Sequence, residues 1–287
     1  MEEDYAMLQE RRADVRSRYQ NVVFPDPVLD TLWVGKRNLI RLTDQKALVD
    51  QNNDNRLLAI VSDRYKIIPY EDTITMVEEV TKEVTGYGAI QLCPSVFANG
   101  GKFKLTMKFP ESVHVIREGD GIVPKIDVFN SLDLGMKLLG RYGAFRLRCT
   151  NGMGVWEHFK KFARRHLQTL FLEDLKLSIL EGMAAFGMQV EGWKRWAEIE
   201  MTENVYNGAW EMLPFHEAER EKVEALRGIG DQLTLTDALK QKALTLWDMN
   251  NVLTQYASHE IKSDMRKIEL EPKIAQSMEK LYLQLAA

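Results

Sequence analysis

Eight basic side chains fall within residues 136–166: Lys137, Arg141, Arg146, Arg148, Lys160, Lys161, Arg164 and Arg165. A single acid, Glu157, stands among them. What such a set does best is hold phosphate, because local field and not global charge governs association with a polyanion. Arg146 and Arg148 alternate with Phe145, Leu147 and Cys149, the pattern of a strand with one buried face. Asn151-Gly152 then supplies a tight reversal, and HFKKFARRH (158–166) reads as a helix. In that helix Lys160 and Arg164 are four apart, as are Lys161 and Arg165. Like charges so spaced repel by about 0.2–0.5 kcal/mol per pair, so the cluster calls for an external anion. Two anions qualify. One is a nucleic-acid backbone; the other is the acidic C-terminal part of the chain, within one molecule or between subunits.

A second basic row follows from strict alternation. Lys102, Lys104 and Lys108 share one side of a strand whose other side is Phe103, Leu105, Met107 and Phe109. Lysines there either deter edge pairing or, if the row shares a sheet face with the first cluster, extend a phosphate track. Tyr65 and Tyr142 are the base-stacking candidates, with Tyr70 and Phe145 beside them, although most aromatics in such strands are core. Catalytic patterns are missing. His114, His158, His166, His216 and His259 show no HExxH, HxH or Cys/His ligand spacing, and neither GxSxG nor GxxxxGK[ST] occurs. Asp127 and Asp133 flank Asn130 and Ser131, a set that makes turn bonds in preference to a metal site. No enzyme activity, metal or cofactor is expected.

The elements that must position these residues fall into two blocks. Residues 2–20 read as a charged helix, and LWVGKRNLIRL (32–42) as a strand. Residues 47–70 read as a hairpin turning at QNNDN, and 71–84 as an amphipathic helix with Ile74, Val77, Val80 and Val84 on one stripe. AIQLCPSVF and KFKLTMKFP flank Asn99-Gly100-Gly101 as a second hairpin, and further strands run to Cys149 around an EGDG turn. From residue 155 the pattern is helical, with segments at 155–171, 173–190, 192–212, 216–227, 235–258 and about 272–285. Trp193, Trp196 and Trp210 fit either a core or a subunit interface. The expected class is α+β: a mixed domain over 1–155 with a basic sheet face, then a helical region over 156–287 packed on it.

Charge divides the same way. Residues 1–166 hold 25 Lys and Arg against 22 Asp and Glu, and the rest hold 13 against 20, which together make the net −4. Two distant cysteines, Cys93 and Cys149, fit reduced thiols, and neither an apolar leader nor a membrane-length run is present. These features point to a cytoplasmic protein, with no membrane partner.

SDRYKIIPYEDTI (62–74) and KIDVFNSLDLGMKLLGRYGAFRLRCTNGM (125–153) resemble, in order and spacing, the phage/plasmid-like proteins grouped as domain-of-unknown-function family nine hundred and thirty-two. One departure is visible: the family's Asp-Gly reads Asp133-Leu134-Gly135 here, which alters the turn. The resemblance implies a mobile-element setting and no activity. At the level of fold, helices and hairpins around a basic sheet are similar to the RecT/Redβ-like annealing proteins. The expectation is therefore a single-stranded nucleic-acid-binding protein of a phage or plasmid, DNA favoured, oligomeric, serving annealing, recombination or replication. The alternative is a protein-interaction factor that counters host defence.

Overall fold

The computed structural model describes residues 2–36, 38–85, 90–147, 152–154, 163–164, 172–229 and 233–286. The fold is α+β, with antiparallel sheets first and helices after them.

Helix α1 (Glu2–Arg18) has little apolar surface beyond Val15, which is buried. Charge holds it instead: Arg11, Arg12, Arg16 and Arg18 reach Glu79, Asp72, Glu71 and Glu78 at 2.9, 2.7, 2.6 and 2.5 Å. Those acids lie on α2 (Tyr70–Thr85), introduced after a three-stranded sheet. The sheet runs β1 (Pro27–Val34), β2 (Ile40–Asp50) and β3 (Arg56–Ser62), ordered β1-β2-β3. Residues 32–42 are thus not one strand but the tip of the β1–β2 hairpin. Gly35, at φ +119°, permits the reversal, because a Cβ there would sit 2.3 Å from the Asn38 carbonyl oxygen. At the other end a 3-10 turn (Gln51–Asn53) precedes Asp54 and Asn55, both left-handed, in the expected QNNDN reversal.

The apolar stripe of α2 forms as expected, with Ile74, Val77 and Val80 buried. The strands β4 (Gln91–Phe97) and β5 (Lys102–Lys108) form the second hairpin. Phe103, Leu105 and Met107 of β5 are fully buried; Tyr70 stacks on Phe103 at 4.8 Å, and the Thr81 hydroxyl donates to the Met107 sulfur. Then come β6 (His114–Arg117), β7 (Asp120–Ser131), β8 (Leu138–Arg146), β9 (Gly152–Gly154) and β10 (Ala163–Arg164). The seven-stranded sheet has the order β10-β8-β7-β5-β4, with β6 on β7 and β9 on β8.

Strand β10 corrects the helix expected over 158–166. Ala163 pairs with Leu139 and Arg164 with Leu138, antiparallel. The backbone groups of β8 there gain partners, whereas a helix would have stacked like charges four apart. The remaining residues of that segment, Arg165 included, lie outside the described set.

Six helices follow: α3 (Leu172–Glu198), α4 (Glu203–Met212), α5 (Glu217–Glu224), α6 (Leu235–Lys240), α7 (Leu246–Gln255) and α8 (Asp264–Ala286), among the described residues. The expected break near 191 is absent, and α3 runs through it. The expected helices at 192–212 and 235–258 are each cut at a threonine cap. Thr202 accepts from the Val205 amide and Thr245 from the Asp248 amide, supplying what an unbroken helix would not need. A π-helical turn (Tyr256–Glu260) ends α7. Trp193, Trp196 and Trp210 are buried, so they are core.

By packing, the chain forms two units. The first comprises residues 1–107, 127–141 and 160–180; the second comprises 108–126, 142–159 and 181–287.

Candidate nucleic-acid interface

In the first unit, β5 turns Lys102 and Lys104 to a half-exposed face while its alternate residues fill the core against α2. Lys102 pairs with Asp133. The Lys104 ammonium lies 3.4 Å from Asp127 and 5.7 Å from the centre of the Phe129 ring. From β8 the Arg141 guanidinium approaches the same ring at 5.0 Å. Two cations therefore cover Phe129, which is itself buried, an arrangement that ring quadrupoles favour. Asp127 also accepts from the Thr106 hydroxyl at 2.6 Å. Lys137, the residue before β8, is exposed. The β10 pairing sets the Arg164 backbone beside Leu138. Cationic positions far apart in sequence thus occupy β5, β8 and β10.

The segment between β7 and β8 is held by turn bonds, as expected from its residue types. The Ser131 hydroxyl donates to the Met136 carbonyl and accepts from its amide; Asp133 accepts from the Gly135 amide at 2.8 Å. Leu134 adopts φ 60°, a conformation uncommon for a residue with a side chain. Asn130 donates to the Ile68 carbonyl and to Thr73.

The other predicted residues separate. Lys108, in the second unit, lies 3.6 Å over the Phe145 ring. Arg146, also in the second unit, is 2% exposed and is not a phosphate contact. Its guanidinium donates two bonds to Asp120, at 2.5 and 2.6 Å. The Trp247 indole donates to the same carboxylate at 2.8 Å. Burial would raise the Asp120 carboxyl, but the bonds from Arg146 and Trp247 and the charges of Arg146 and Arg117 outweigh it, so it sits below the ordinary aspartate value. Nearby Arg117 pairs with Asp248, which the Thr245 hydroxyl also bonds at 2.6 Å. The alternation around Arg146 gives a strand as expected, but the faces are reversed: Arg146 is buried, whereas Phe145 is half-buried and Leu147 is exposed. Arg148, Lys160 and Lys161, like Arg165, lie outside the described residues, and Arg164 is described by its backbone.

The two stacking candidates differ in burial. Tyr65 is half-buried with its hydroxyl toward the Ser131 carbonyl at 3.4 Å, and burial pushes that hydroxyl well above its ordinary pKa. Tyr142 is buried under α3, where Gly182 lies so close that an added Cβ would fall 2.0 Å from the ring. The exposed aromatic is instead Trp33, at 53%, the one aromatic among the exposed large apolar side chains of the described residues. Sequence reasoning placed it inside a continuous strand. The signal that could have found it is Gly35-Lys36-Arg37-Asn38, a polar glycine-containing turn between two apolar pairs.

Among the described residues, no three of His, Cys, Asp and Glu gather as metal ligands, and no helix is long and apolar enough to cross a membrane.

The geometry defines an α+β protein whose first unit carries Lys102, Lys104 and Arg141 on sheet strands. The family model described as Domain of unknown function (DUF932) matches residues 57–280, and the chain belongs to that family. No curated protein and no solved structure matches the chain significantly.

Proposed function

We propose that this protein binds single-stranded nucleic acid, DNA in the first instance, along the β5, β7, β8 and β10 face of its first unit. The supporting observation is the approach of Lys104 and Arg141 to Phe129, with Lys102 on β5 and exposed Lys137 just before β8. Phosphate contact there needs no sequence readout, and cations held over rings are pre-positioned for a backbone. Lys102 and Lys104 each carry an aspartate partner, so an incoming phosphate competes with Asp133 and Asp127. That makes binding moderate and salt-sensitive. In a phage or plasmid it would serve annealing, recombination or replication by binding alone, as an oligomer.

The test is anisotropy of a labelled oligodeoxythymidylate at several salt concentrations. Four cations exchanged for counterions give a slope of log affinity on log salt of about −3, so a fourfold rise in salt weakens binding roughly 50-fold. Lys104→Ala with Arg141→Ala halves that slope. Absence of binding at low salt refutes the proposal. The rival, a host-protein-binding factor, predicts indifference to the oligonucleotide and a stable complex with a purified host protein.

A further inference from the structure

The β1–β2 hairpin outruns the third strand of its sheet. Strand β3 ends at Ser62, opposite Gln45, whereas β1 and β2 go on pairing through Trp33 with Arg41 and Val34 with Ile40. The result is a two-stranded arm in the first unit. At its end Trp33, Val34, Leu39 and Ile40 are 53, 41, 64 and 63% exposed. Single exposed apolar residues need no explanation, but four at one tip form a patch, and tips are ordinarily polar.

The polar residues of the tip say what covers it. Residues 31–43 contain Lys36, Arg37 and Arg41 and no acid, in a chain whose net charge is −4. Lys36 and Arg41 are exposed, and neither forms an ion pair with a described residue. Directly paired residues share a face of a hairpin. Trp33 and Arg41 are therefore neighbours on one face, and Val34 and Ile40 on the other. An open indole beside an unpaired guanidinium matches a base and its adjoining phosphate.

We infer that the tip of this arm is a base-stacking contact for single-stranded nucleic acid, with Trp33 taking a base and Lys36 and Arg41 its phosphates. The inference rests on the function proposed above and adds a contact distinct from the sheet face. A lipid surface fits less well, because Lys36 and Asn38 lie in the turn itself and would have to pass the headgroups before the apolar side chains reached the acyl chains.

The experiment uses the full chain and three probes: labelled oligodeoxythymidylate, an oligomer of equal length carrying abasic sites, and phosphatidylserine vesicles. Trp33→Ala is expected to weaken oligodeoxythymidylate binding about 5- to 150-fold, the range of one base–aromatic stack, while Trp33→Phe retains most of it. The abasic oligomer should not distinguish Trp33→Ala from the wild type, because the backbone contacts are common to both. Trp33 is exposed, so thermal unfolding should be unchanged. Equal binding by Trp33→Ala and wild type, with Lys104→Ala and Arg141→Ala still weakening it, overturns the arm and leaves the sheet proposal standing. No binding by the wild type overturns both. Vesicle binding that needs Trp33, a loss of affinity equal on the abasic oligomer, or a loss explained by a change in oligomeric state under sedimentation also overturns the inference.

Discussion

Replacing Asp120 by Asn should be among the most damaging single substitutions at a charged residue of this chain. Its side chain is 1% exposed and that of Arg146 is 3% exposed. Removing one member of a buried ion pair strands the other charge and costs about 3–5 kcal/mol. Asp120→Asn takes from Arg146 the carboxylate that accepts two bonds from its guanidinium, and nearby Arg117 is itself a cation paired with Asp248. Arg146→Met is milder: Asp120 keeps the Trp247 indole and Arg117, 3.7 Å away. The double variant has no stranded charge and should recover much of the loss, because a buried pair and an apolar pair differ little in stability. The assay is urea unfolding followed by tryptophan fluorescence for all four proteins. Acid adds a second reading. The Asp120 carboxyl is held below its ordinary value of 3.8, so its stabilising contribution is complete above that pH and drains away as pH falls through the lower, folded value. The Asp120→Asn protein should lack that component of acid sensitivity. A loss under about 1 kcal/mol for Asp120→Asn, or additivity in the double variant, refutes the reasoning. If the double variant folds and still binds oligonucleotide as the wild type does, the removal of Arg146 from the phosphate contacts stands.

Two further substitutions test the helical half. Gly182→Ala would drive a methyl into the Tyr142 ring, 2.0 Å away, and should lower stability by about 1–3 kcal/mol with a drop in melting temperature; an unchanged melt would mean that α3 does not pack on Tyr142 as described. Thr245→Val removes the cap bond to the Asp248 amide and the hydroxyl bond to its carboxylate, and should cost about 1 kcal/mol in urea unfolding, with Thr245→Ser restoring it.

What the sequence determined by itself is what local pattern governs. The stripe of Ile74, Val77 and Val80 made α2, the alternation of Phe103, Leu105 and Met107 made β5, and Asn- and Gly-rich runs placed the turns after β2 and β4. The α+β class and the family followed from those blocks and their spacing. Where the pattern continued across a boundary, it misled: apolar periodicity ran through the caps at Thr202 and Thr245, and residues 32–42 read as one strand because Leu, Trp, Val and Ile suit a strand on either side of a turn. The fate of the charges was decided only in the tertiary structure. A sequence counts basic residues, but their availability depends on what lies within a few ångströms, and that is set by chain reversal and burial. Asp120 is 26 residues from Arg146 and Trp247 is 127 from Asp120, yet the three form one buried knot that takes an arginine out of the basic cluster. The same folding left Trp33 in the open beside Arg41, because β3 stops short of it.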